Sequence, residues 1–500
     1  MILIRLFRIL KMMRTAVGEN NMLPESTVRF ESGDDRLNRL YDTLLEKCEG
    51  NLQNFGRDRV LVEGGGYEKI WLETQPMGGE MFAGWDPAAA LNNQLLFMRG
   101  QRFDGRMPGS IQLLKDGTVE PQYNKIQGFC FPWPALNMYY LSGRKKEYLL
   151  ELEDCLRRFD DYLWKYRDSN GDGCLESFCV YDTGDDNALR YGDAPRYCET
   201  DTPPEGSRVV PMASMDVMSW SYAARDTLRR IYEILGDGDR AAVYAERAEK
   251  VRRKIRDFLW SEERGACFDR DRNGNIKPEL IHNNLRCMYW GSFDQRMADA
   301  FVSRHLRSPE EFWTPLPLPS VAVNDPLFRN APENNWSGQC EGLTWQRAIL
   351  ALERYGYEKI VTTLGKKWLD TMIQNGMRFT QQYDPFTGKA SLVRPDTHEA
   401  VGEDYAGEVQ DAYGPTMLAC LGYMSHMHGI DIRMGEVWFS AVPGLAFEWE
   451  REFGGNRYLI SSDGGTFRAS VNGREKAVLP CGLRLITDEE GNVLRKVCLS

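Results

Sequence analysis

Residues 216–235 (DVMSWSYAARDTLRRIYEIL) and residues 240–259 (RAAVYAERAEKVRRKIRDFL) are separated only by the segment Gly236-Asp237-Gly238-Asp239. In both stretches apolar residues recur at intervals of three and four, which is the spacing of one face of an α-helix. Glycine favours the end of a helix, so the intervening residues are typical of a turn. The sequence therefore predicts two antiparallel helices joined by a short connection.

The same helical spacing recurs from about residue 34 to about residue 430, where strand patterns are sparse. Further segments that show it are 37–45, 148–156, 342–355, 358–372 and 409–427. Repeated pairs of antiparallel helices are typical of a closed helical barrel or of an α-solenoid. The pairs are spaced too irregularly for a solenoid, so we predict a mainly α-helical barrel.

The pattern changes after about residue 433. Short alternating runs at 458–461, 467–471 and 483–487 are separated by glycine-rich turns. Alternation of this kind predicts β-strands. We therefore predict a small β-rich C-terminal domain over residues 432–500, following a helical barrel domain over residues 34–431.

The first residues are apolar, but Arg5 and Arg8 interrupt them and no small-residue cleavage site follows. This pattern is not typical of a signal peptide or of a transmembrane span. We therefore expect residues 1–33 to be either a frayed N-terminal extension or the product of a start codon assigned too early.

The bulk composition excludes some classes of partner. The formal net charge of -11 opposes binding to nucleic acid, which requires a dense basic surface. The 12 cysteines are scattered without a C-x-x-C pair, which indicates reduced, buried thiols and a cytoplasmic protein. We expect no nucleic-acid partner and no membrane partner, and the sequence does not indicate an oligomeric state.

Acidic and aromatic residues are concentrated in four loop regions between the predicted helices. These regions are 84–86 with 101–109, then 181–191, 334–341 and 381–414. In a ring of helices the site lies at one mouth and is built from the loops that join the helices. We therefore expect the functional residues to come from these loops.

Residues 183–190 (TGDDNALR) are similar to the S-G-x-D-N-S-P-R segment that carries the general acid of family 63 glycoside hydrolases. The resemblance covers roughly residues 85–414 and extends to the mannosylglycerate-hydrolase-like relatives and, more distantly, to trehalases. It implies a six-hairpin (α/α)6 barrel that cleaves an α-linked glucoside or related glycoside by inversion, with no required cofactor. It places Asp186 as the general acid, whose pKa must be raised by desolvation if it is to stay protonated at neutral pH.

Several other motifs of that family are matched. Trp85-Asp86 resembles its W-D substrate clamp, and residues 104–108 resemble its D-G-x-x-P motif. Residues 131–133 resemble the aromatic stretch that opens its third helix, and residues 336–338 resemble its W-R-G motif. The resemblance thus implies a sugar subsite lined by Trp85, Asp86, Asp104, Trp133, Arg190, Trp336 and Tyr383.

One departure from the family pattern concerns the general base. The family has a glutamate at the start of E-x-Y-N-P-x-T-G, whereas residues 381–388 (QQYDPFTG) place Gln381 at that position. An amide cannot accept a proton from water at neutral pH, so the implied mechanism cannot operate unchanged.

Three alternatives remain open for this departure. Another carboxylate acts as the base, with Glu341, Glu403 and Glu408 as candidates, and Glu341 is favoured because it follows the tryptophan loop and begins a helix. Alternatively, inorganic phosphate is the nucleophile of an inverting phosphorylase, or the protein binds sugar without cleaving it. A phosphorylase requires a phosphate cradle. Arg102, Arg106 and Arg190 are available for it, but no clustered histidines or glycine-rich loop accompany them, so hydrolysis is favoured.

Asp168, Asn170 and Asp172 alternate and are followed by Gly173. This matches the first half of an EF-hand-like calcium loop, although the glutamate at the twelfth position is absent. Either a structural Ca²⁺ or an Asx-rich turn accounts for the pattern. The similar segment 269–275 contains central arginines and predicts a tight turn.

Overall fold

The computed structural model describes residues 23–333 and 335–500. Twelve α-helices lie within these residues. They are α1 (Asp35–Gly50), α2 (Gln75–Met81), α3 (Pro87–Arg99), α4 (Pro132–Leu141), α5 (Lys146–Tyr166), α6 (Met215–Ile234), α7 (Gly238–Lys254), α8 (Asn283–Trp290), α9 (Gln295–Phe301), α10 (Gly342–Glu353), α11 (Glu358–Gln374) and α12 (Gly414–His428). The prediction of a mainly helical body is confirmed, and the two helices predicted over 216–259 are α6 and α7.

The even-numbered helices pack against one another in chain order, and α12 in turn packs against α2, so their contacts run in a closed circuit. Among the odd-numbered helices, α3, α5 and α7 each pack on an adjacent even-numbered helix, and α11 and α1 pack on α12. The sequence accounts for this division. Nearly every residue of α10 and of α12 is buried, whereas α1 buries a single stripe of side chains, as expected of an outer amphipathic helix.

Short strands lie in the connections between the helices. They are β2 (Leu52–Phe55), β3 (Asp58–Leu61), β4 (Lys69–Trp71), β5 (Ser110–Leu113), β6 (Val119–Gln122), β7 (Glu176–Ser177), β8 (Met212–Ala213), β9 (Trp260–Ser261), β10 (Ala266–Cys267), β11 (Cys340–Glu341) and β12 (Gln382–Tyr383). Their pairing fixes the loops at the ends of the helices, and β11 pairs with β12 in this way.

The C-terminal region is built of antiparallel strands, as the alternating sequence predicts. They are β13 (Ile430–Arg433), β14 (Glu436–Ala441), β15 (Ala446–Phe453), β16 (Asn456–Asp463), β17 (Thr466–Val471), β18 (Arg474–Pro480), β19 (Leu483–Asp488) and β20 (Val493–Cys498). One sheet has the strand order β13-β14-β19-β20. The other includes a strand from the N-terminal region, β1 (Ser26–Ser32), and has the order β1-β15-β16-β17-β18.

Strand β1 (Ser26–Ser32) is a difference from the sequence analysis, which expected a frayed extension over residues 1–33. Residues 1–22 lie outside the described residues. β1 pairs along its whole length with β15, from Ser26 opposite Phe453 to Ser32 opposite Phe447. The reason is a short alternation in which Val28 and Phe30 pack against the core while their neighbours face outward.

Two further observations concern the whole described chain. None of the helices in residues 23–333 and 335–500 combines the length and the apolar character that crossing a membrane requires. All of the cysteines are free thiols, and Cys481 and Cys498 alone among them are not buried. The prediction of reduced, mostly buried thiols is therefore confirmed.

A buried ion-pair network joins the helices to the C-terminal sheets. The carboxyl of Glu353, at the end of α10, lies 2.8 Å from the guanidinium of Arg484 and 2.6 Å from Nδ1 of His426, and it also contacts Arg433. Burial alone would raise the pKa of Glu353, but Arg433 and Arg484 hold it well below its usual range. The network therefore contains an ionised carboxylate at the junction of α10, α12, β13 and β19.

Replacing Arg484 by methionine is expected to lower the free energy of unfolding by about 3–5 kcal/mol, because it removes one partner of a buried ion pair. Arg495→Met is the matched control, since Arg495 pairs with Glu436 at the exposed face of the same sheet, and it is expected to cost less than about 1 kcal/mol. Denaturant titration followed by tryptophan fluorescence measures both. Equal losses in the two variants would contradict the role given to the network.

Candidate active site

Residues at the beginnings of the even-numbered helices converge at one end of the helical body. They are Glu73 before α2, Gln127 before α4, Asp185 and Asp186 before α6, Arg286 in α8, Glu341 before α10 and Tyr413 before α12. Hydrogen bonds, ion pairs and electrostatic interactions link these residues to one another. The six inner helices therefore begin at the same end, where the positive ends of their dipoles favour negative charge.

Five carboxyl groups gather at this end, and we refer to them as the carboxylate cluster. They belong to Glu63, Glu73, Asp185, Asp186 and Glu341. Their surroundings differ, and the difference decides which of them is charged.

Asp185 is the ionised member of the cluster. Its carboxylate lies 2.6 Å from the guanidinium of Arg286 and 2.8 Å from that of Arg190, and it accepts a hydrogen bond of 3.0 Å from Asn283. Burial alone would raise the pKa of Asp185, but Arg286, His282 and Arg190 hold it well below its usual range.

Asp186, the predicted general acid, lies next to Asp185 in the chain but in a different environment. Burial is the main cause that raises its pKa to about 7, with Glu73 adding to the rise, while Lys125 and a hydrogen bond from Gln127 oppose it. The amide of Gln127 donates to Asp186 Oδ1 over 3.1 Å and to Glu73 over 3.5 Å. Two adjacent carboxyls are thus held in opposite protonation states near neutral pH.

Gly184 explains how this loop approaches Glu73. Its backbone has φ +76, and a Cβ at this position would stand 2.1 Å from Oε2 of Glu73. A side chain is therefore excluded by sterics as well as by the left-handed backbone. The glycine of the predicted motif brings Asp185 and Asp186 into the cluster.

Glu341 is fully buried at the end of β11, directly before α10, and neither of its carboxyl oxygens has a hydrogen-bond partner among the described residues. Burial raises its pKa well above the usual range, Arg286 opposes the rise, and Glu73 and Asp186 add to it. Gln381 lies on the paired strand segment, where its carbonyl accepts a hydrogen bond of 2.9 Å from Gly342 N–H. The predicted base candidate and the glutamine that departs from the family pattern are therefore close in the structure.

Glu63 and Glu73 are members of the cluster that the sequence analysis did not identify. Glu63 accepts a hydrogen bond of 3.0 Å from the hydroxyl of Tyr413, and Glu73 pairs with the guanidinium of Arg347. Burial raises the pKa of both carboxyls. The sequence offers little sign of either residue, since Glu63 only precedes three glycines and Glu73 only stands two residues before α2.

Aromatic rings and cations complete the surroundings of the cluster. The ring of Trp336 covers Arg286, with 5.0 Å from the ring centroid to the guanidinium carbon, and lies 5.3 Å from the ring of His282. Its predicted position near the acids is therefore observed. The ammonium of Lys125 lies 4.6 Å from the ring centroid of Trp71, and 5.0 Å and 5.1 Å from those of Tyr181 and Tyr197.

Trp85, Asp86 and Trp133 lie elsewhere, contrary to the sequence analysis. Asp86 follows the C-terminal end of α2, so it stands at the opposite end of the inner helices, where it caps α3. Trp85 donates a hydrogen bond of 3.2 Å to Tyr41. Both tryptophans line a separate cavity beside the C-terminal sheets. Position within the helical hairpin therefore accounts for Trp85 and Asp86, whereas Trp133 lies in the first turn of α4 and its ring contacts Arg230 and Arg354 instead of the carboxylate cluster.

Four further predicted site residues are committed to other contacts. Arg190 pairs with Asp185 and Asp269, and its side chain is only 4% exposed. It therefore holds Asp185 in place and does not line a sugar subsite. Tyr383 is fully buried and donates to the carbonyl of Arg378 over 3.0 Å, because β12 turns its ring toward the core. Asp104 forms an ion pair with Arg102.

Glu403, the fourth of these residues, pairs with Lys389 across 2.9 Å, and the glutamate side chain is 81% exposed. Glu408 is also exposed. Neither of these base candidates shares the buried environment of Glu341.

The loop of Asp168, Asn170 and Asp172 forms Asx turns. Each side-chain oxygen accepts a backbone N–H of the same loop, from Gly173, Asp172 and Cys174 respectively. Among residues 23–333 and 335–500 no group of three or more histidine, cysteine, aspartate or glutamate side chains is placed to hold a metal ion. These contacts are those of an Asx-rich turn, and residues 269–275 form a tight turn as predicted.

Comparison with solved structures identifies relatives of this fold. A GH63 mannosylglycerate hydrolase from Thermus thermophilus superposes with a TM-score of 0.59 at 16% identity, over 77% of this chain and 100% of that chain. At this identity the similarity concerns the fold.

Sequence comparison finds two relatives with a named activity. A cytosolic neutral trehalase of Emericella nidulans is 26% identical over 187 residues, which cover 35% of this chain and 23% of the trehalase. A probable mannosyl-oligosaccharide glucosidase of Schizosaccharomyces pombe is 25% identical over 203 residues, which cover 37% of this chain and 25% of the glucosidase. The chain spans 23% to 37% of the length of the curated relatives it matches.

A protein family described as the mannosylglycerate hydrolase MGH1-like glycoside hydrolase domain matches residues 80–406, which is more than half of the chain. The matched region contains Asp185, Asp186 and Glu341 of the carboxylate cluster. The chain therefore belongs to the MGH1-like family of glycoside hydrolase domains.

Proposed function

We propose that the chain is an inverting glycoside hydrolase that cleaves an α-linked glucoside or a related glycoside on an (α/α)6 barrel. The closed circuit of inner helices supports the barrel, with residues 34–431 as the catalytic domain and 432–500 as the β-rich domain. Family membership supports hydrolysis of a glycosidic bond. Relatives named as a trehalase, a glucosidase and a mannosylglycerate hydrolase support a glucoside or mannoside as substrate. The free thiols support a cytoplasmic location.

The observation that carries the proposal is the contrast between Asp185 and Asp186. Inverting cleavage needs one carboxyl that is protonated, to donate to the leaving oxygen, beside a site that stabilises positive charge on the sugar ring. A pKa of about 7 keeps Asp186 protonated over the acidic half of the physiological range. Arg286 and Arg190 keep Asp185 ionised, so it does not compete with Asp186 for the proton.

Glu341 is the proposed general base. Glu63 is engaged by Tyr413 and Glu73 by Arg347, whereas both oxygens of Glu341 are free to hold a water molecule. Asp186 and Glu341 are close enough for each charge to disfavour the other. The active state in this proposal is the one in which Asp186 holds a proton and Glu341 does not, so that one carboxyl is the acid and the other is the base.

The charges of the site disfavour the phosphorylase alternative. A phosphate nucleophile would need cationic groups that are free to bind it, whereas Arg190 and Arg286 are already paired with Asp185, so phosphate would have to compete with that carboxylate. The arginines considered for a phosphate cradle are also engaged, since Arg102 and Arg106 both pair with Asp201 across 2.8 Å and 3.0 Å. Water carries no such penalty, so hydrolysis is the better fit.

Asp186→Asn is expected to lower kcat by about 10²- to 10⁴-fold, because the amide cannot donate the proton that the leaving oxygen requires. The test measures sugar release from a panel of α-linked di- and oligosaccharides, with and without inorganic phosphate, and records the anomer first formed. The control is Asp161→Asn, an exposed aspartate on α5. Full activity of Asp186→Asn, or product that forms only with phosphate, would refute the proposal.

Glu341→Gln is expected to abolish hydrolysis, and Gln381→Glu is expected to restore part of it in the same chain. The reason is that the base must be a carboxylate, and position 381 is where the family resemblance places one. Initial rates of the two single variants and of the double variant measure the effect. If Glu341→Gln keeps wild-type activity, a different residue activates the water.

The rate of hydrolysis is expected to fall as the pH rises above about 7, because Asp186 must be protonated and its pKa is raised to about 7. The rate is also expected to fall at lower pH, where Glu341 gains its proton, and because burial raises the pKa of Glu341 this acidic limb lies at a higher pH than for an ordinary glutamate. The profile is therefore a narrow bell. Measuring kcat/KM across the pH range reports both limbs in the free enzyme. A profile that is flat through neutral pH would argue against a titrating acid with this pKa.

A further inference from the structure

A hairpin within the long connection before α12 packs against Tyr67, which neighbours the carboxylate cluster. This connection runs from β12 to α12 with no helix or named strand between them, and long connections of this kind are usually functional. Residues 392–401 fold back on themselves, with hydrogen bonds of 2.9 Å from Val401 N–H to Leu392 and from Arg394 N–H to Glu399. We refer to residues 392–401 as the flap.

The flap lies directly on the glycine run that precedes Tyr67. A Cβ on Gly66 would stand 2.2 Å from the carbonyl oxygen of Pro395, and Gly66 has φ +93. A side chain at this position would therefore push the flap away. The absence of a side chain at Gly66 thus permits close contact between the flap and the segment that leads to Tyr67.

His398 at the tip of the flap stacks on Tyr67. The two rings are nearly parallel, with centroids 4.5 Å apart and an interplanar angle of 11°. His398 has φ +59, a left-handed conformation that costs energy for a residue other than glycine and that clusters at ligand clamps. Its Nδ1 atom is buried without a hydrogen-bond partner among the described residues.

Tyr67 connects the flap to the base position. Its hydroxyl donates a hydrogen bond of 3.0 Å to Oε1 of Gln381. It also lies within electrostatic range of Glu63, Asp186 and Glu341. Tyr67 therefore contacts both His398 of the flap and Gln381, the glutamine beside the proposed base.

We propose that the flap closes over the bound sugar and that His398 is a positioning residue, which holds Tyr67 and thereby Gln381 in place beside Glu341. This inference rests on the proposed function, because it concerns the same site. A sugar enters when the flap lifts, and the stacking of the His398 and Tyr67 rings defines the closed state. The strain at His398 is retained because the closed arrangement requires it.

The test is a double-mutant cycle between His398 and Tyr67. His398→Ala is expected to lower kcat by about 10- to 100-fold, since small displacements at a reacting centre have effects of this size. His398→Phe keeps an aromatic ring that can stack on Tyr67, and phenylalanine is likewise strained in the left-handed backbone conformation. This variant is therefore expected to retain most of the activity. Tyr67→Phe is expected to lose as much as His398→Ala, and adding His398→Ala to it should change kcat less than twofold. Lys389→Gln, an exposed change before the flap, is the surface control.

The outcomes separate this inference from the proposed function. Three results would each overturn the inference while leaving the hydrolase proposal intact. They are wild-type activity in His398→Ala, equal losses of kcat in His398→Ala and His398→Phe, and losses that multiply when His398→Ala is combined with Tyr67→Phe. A wild type that hydrolyses no glycoside refutes the proposed function. In that case the measurement is the rate of trypsin cleavage at Arg394. A flap released by His398→Ala is expected to be cut faster than the flap of the wild type or of His398→Phe. Equal cleavage rates in the three proteins would overturn the inference.

Discussion

The ion pair between Arg286 and Asp185, 2.6 Å apart and buried, is the interaction on which the rest of the site depends. Five carboxyl groups cannot share a desolvated space unless some of their charge is neutralised or removed. Arg286 neutralises Asp185 and lies 3.2 Å from Asp216 as well. The remaining acids are left with raised pKa values, and this division makes Asp186 a proton donor and not another anion.

The same arrangement links catalysis to the fold. The acids come from different segments, and Tyr413 reaches Glu63 across 350 positions of sequence. These groups meet because every inner helix begins at the same end, where its dipole offsets part of their negative charge. A barrel that opened at any one interface would separate the acids before it exposed most of its apolar core.

The sequence predicted the helical body, the C-terminal strands and the position of Asp186, because each of these rests on a local pattern. It misplaced Trp85, Asp86 and Trp133, because a short motif reveals neither which end of a hairpin a residue occupies nor which neighbours its side chain contacts. It missed Glu63 and Glu73, whose importance follows only from closure of the ring. Glu341 was identified from its place at a helix start, while its lack of partners required the structure.

Strand β1 has a consequence for the order in which the protein is made. Its partner β15 begins at residue 446, so on the ribosome β1 is synthesised long before the strand it pairs with exists. Pairings so distant along a chain form slowly and late. The inner helices emerge first and in order, whereas β1 must wait until β15 has been synthesised before it can pair. A chain cut short before residue 446 would therefore leave β1 as an exposed edge open to aggregation.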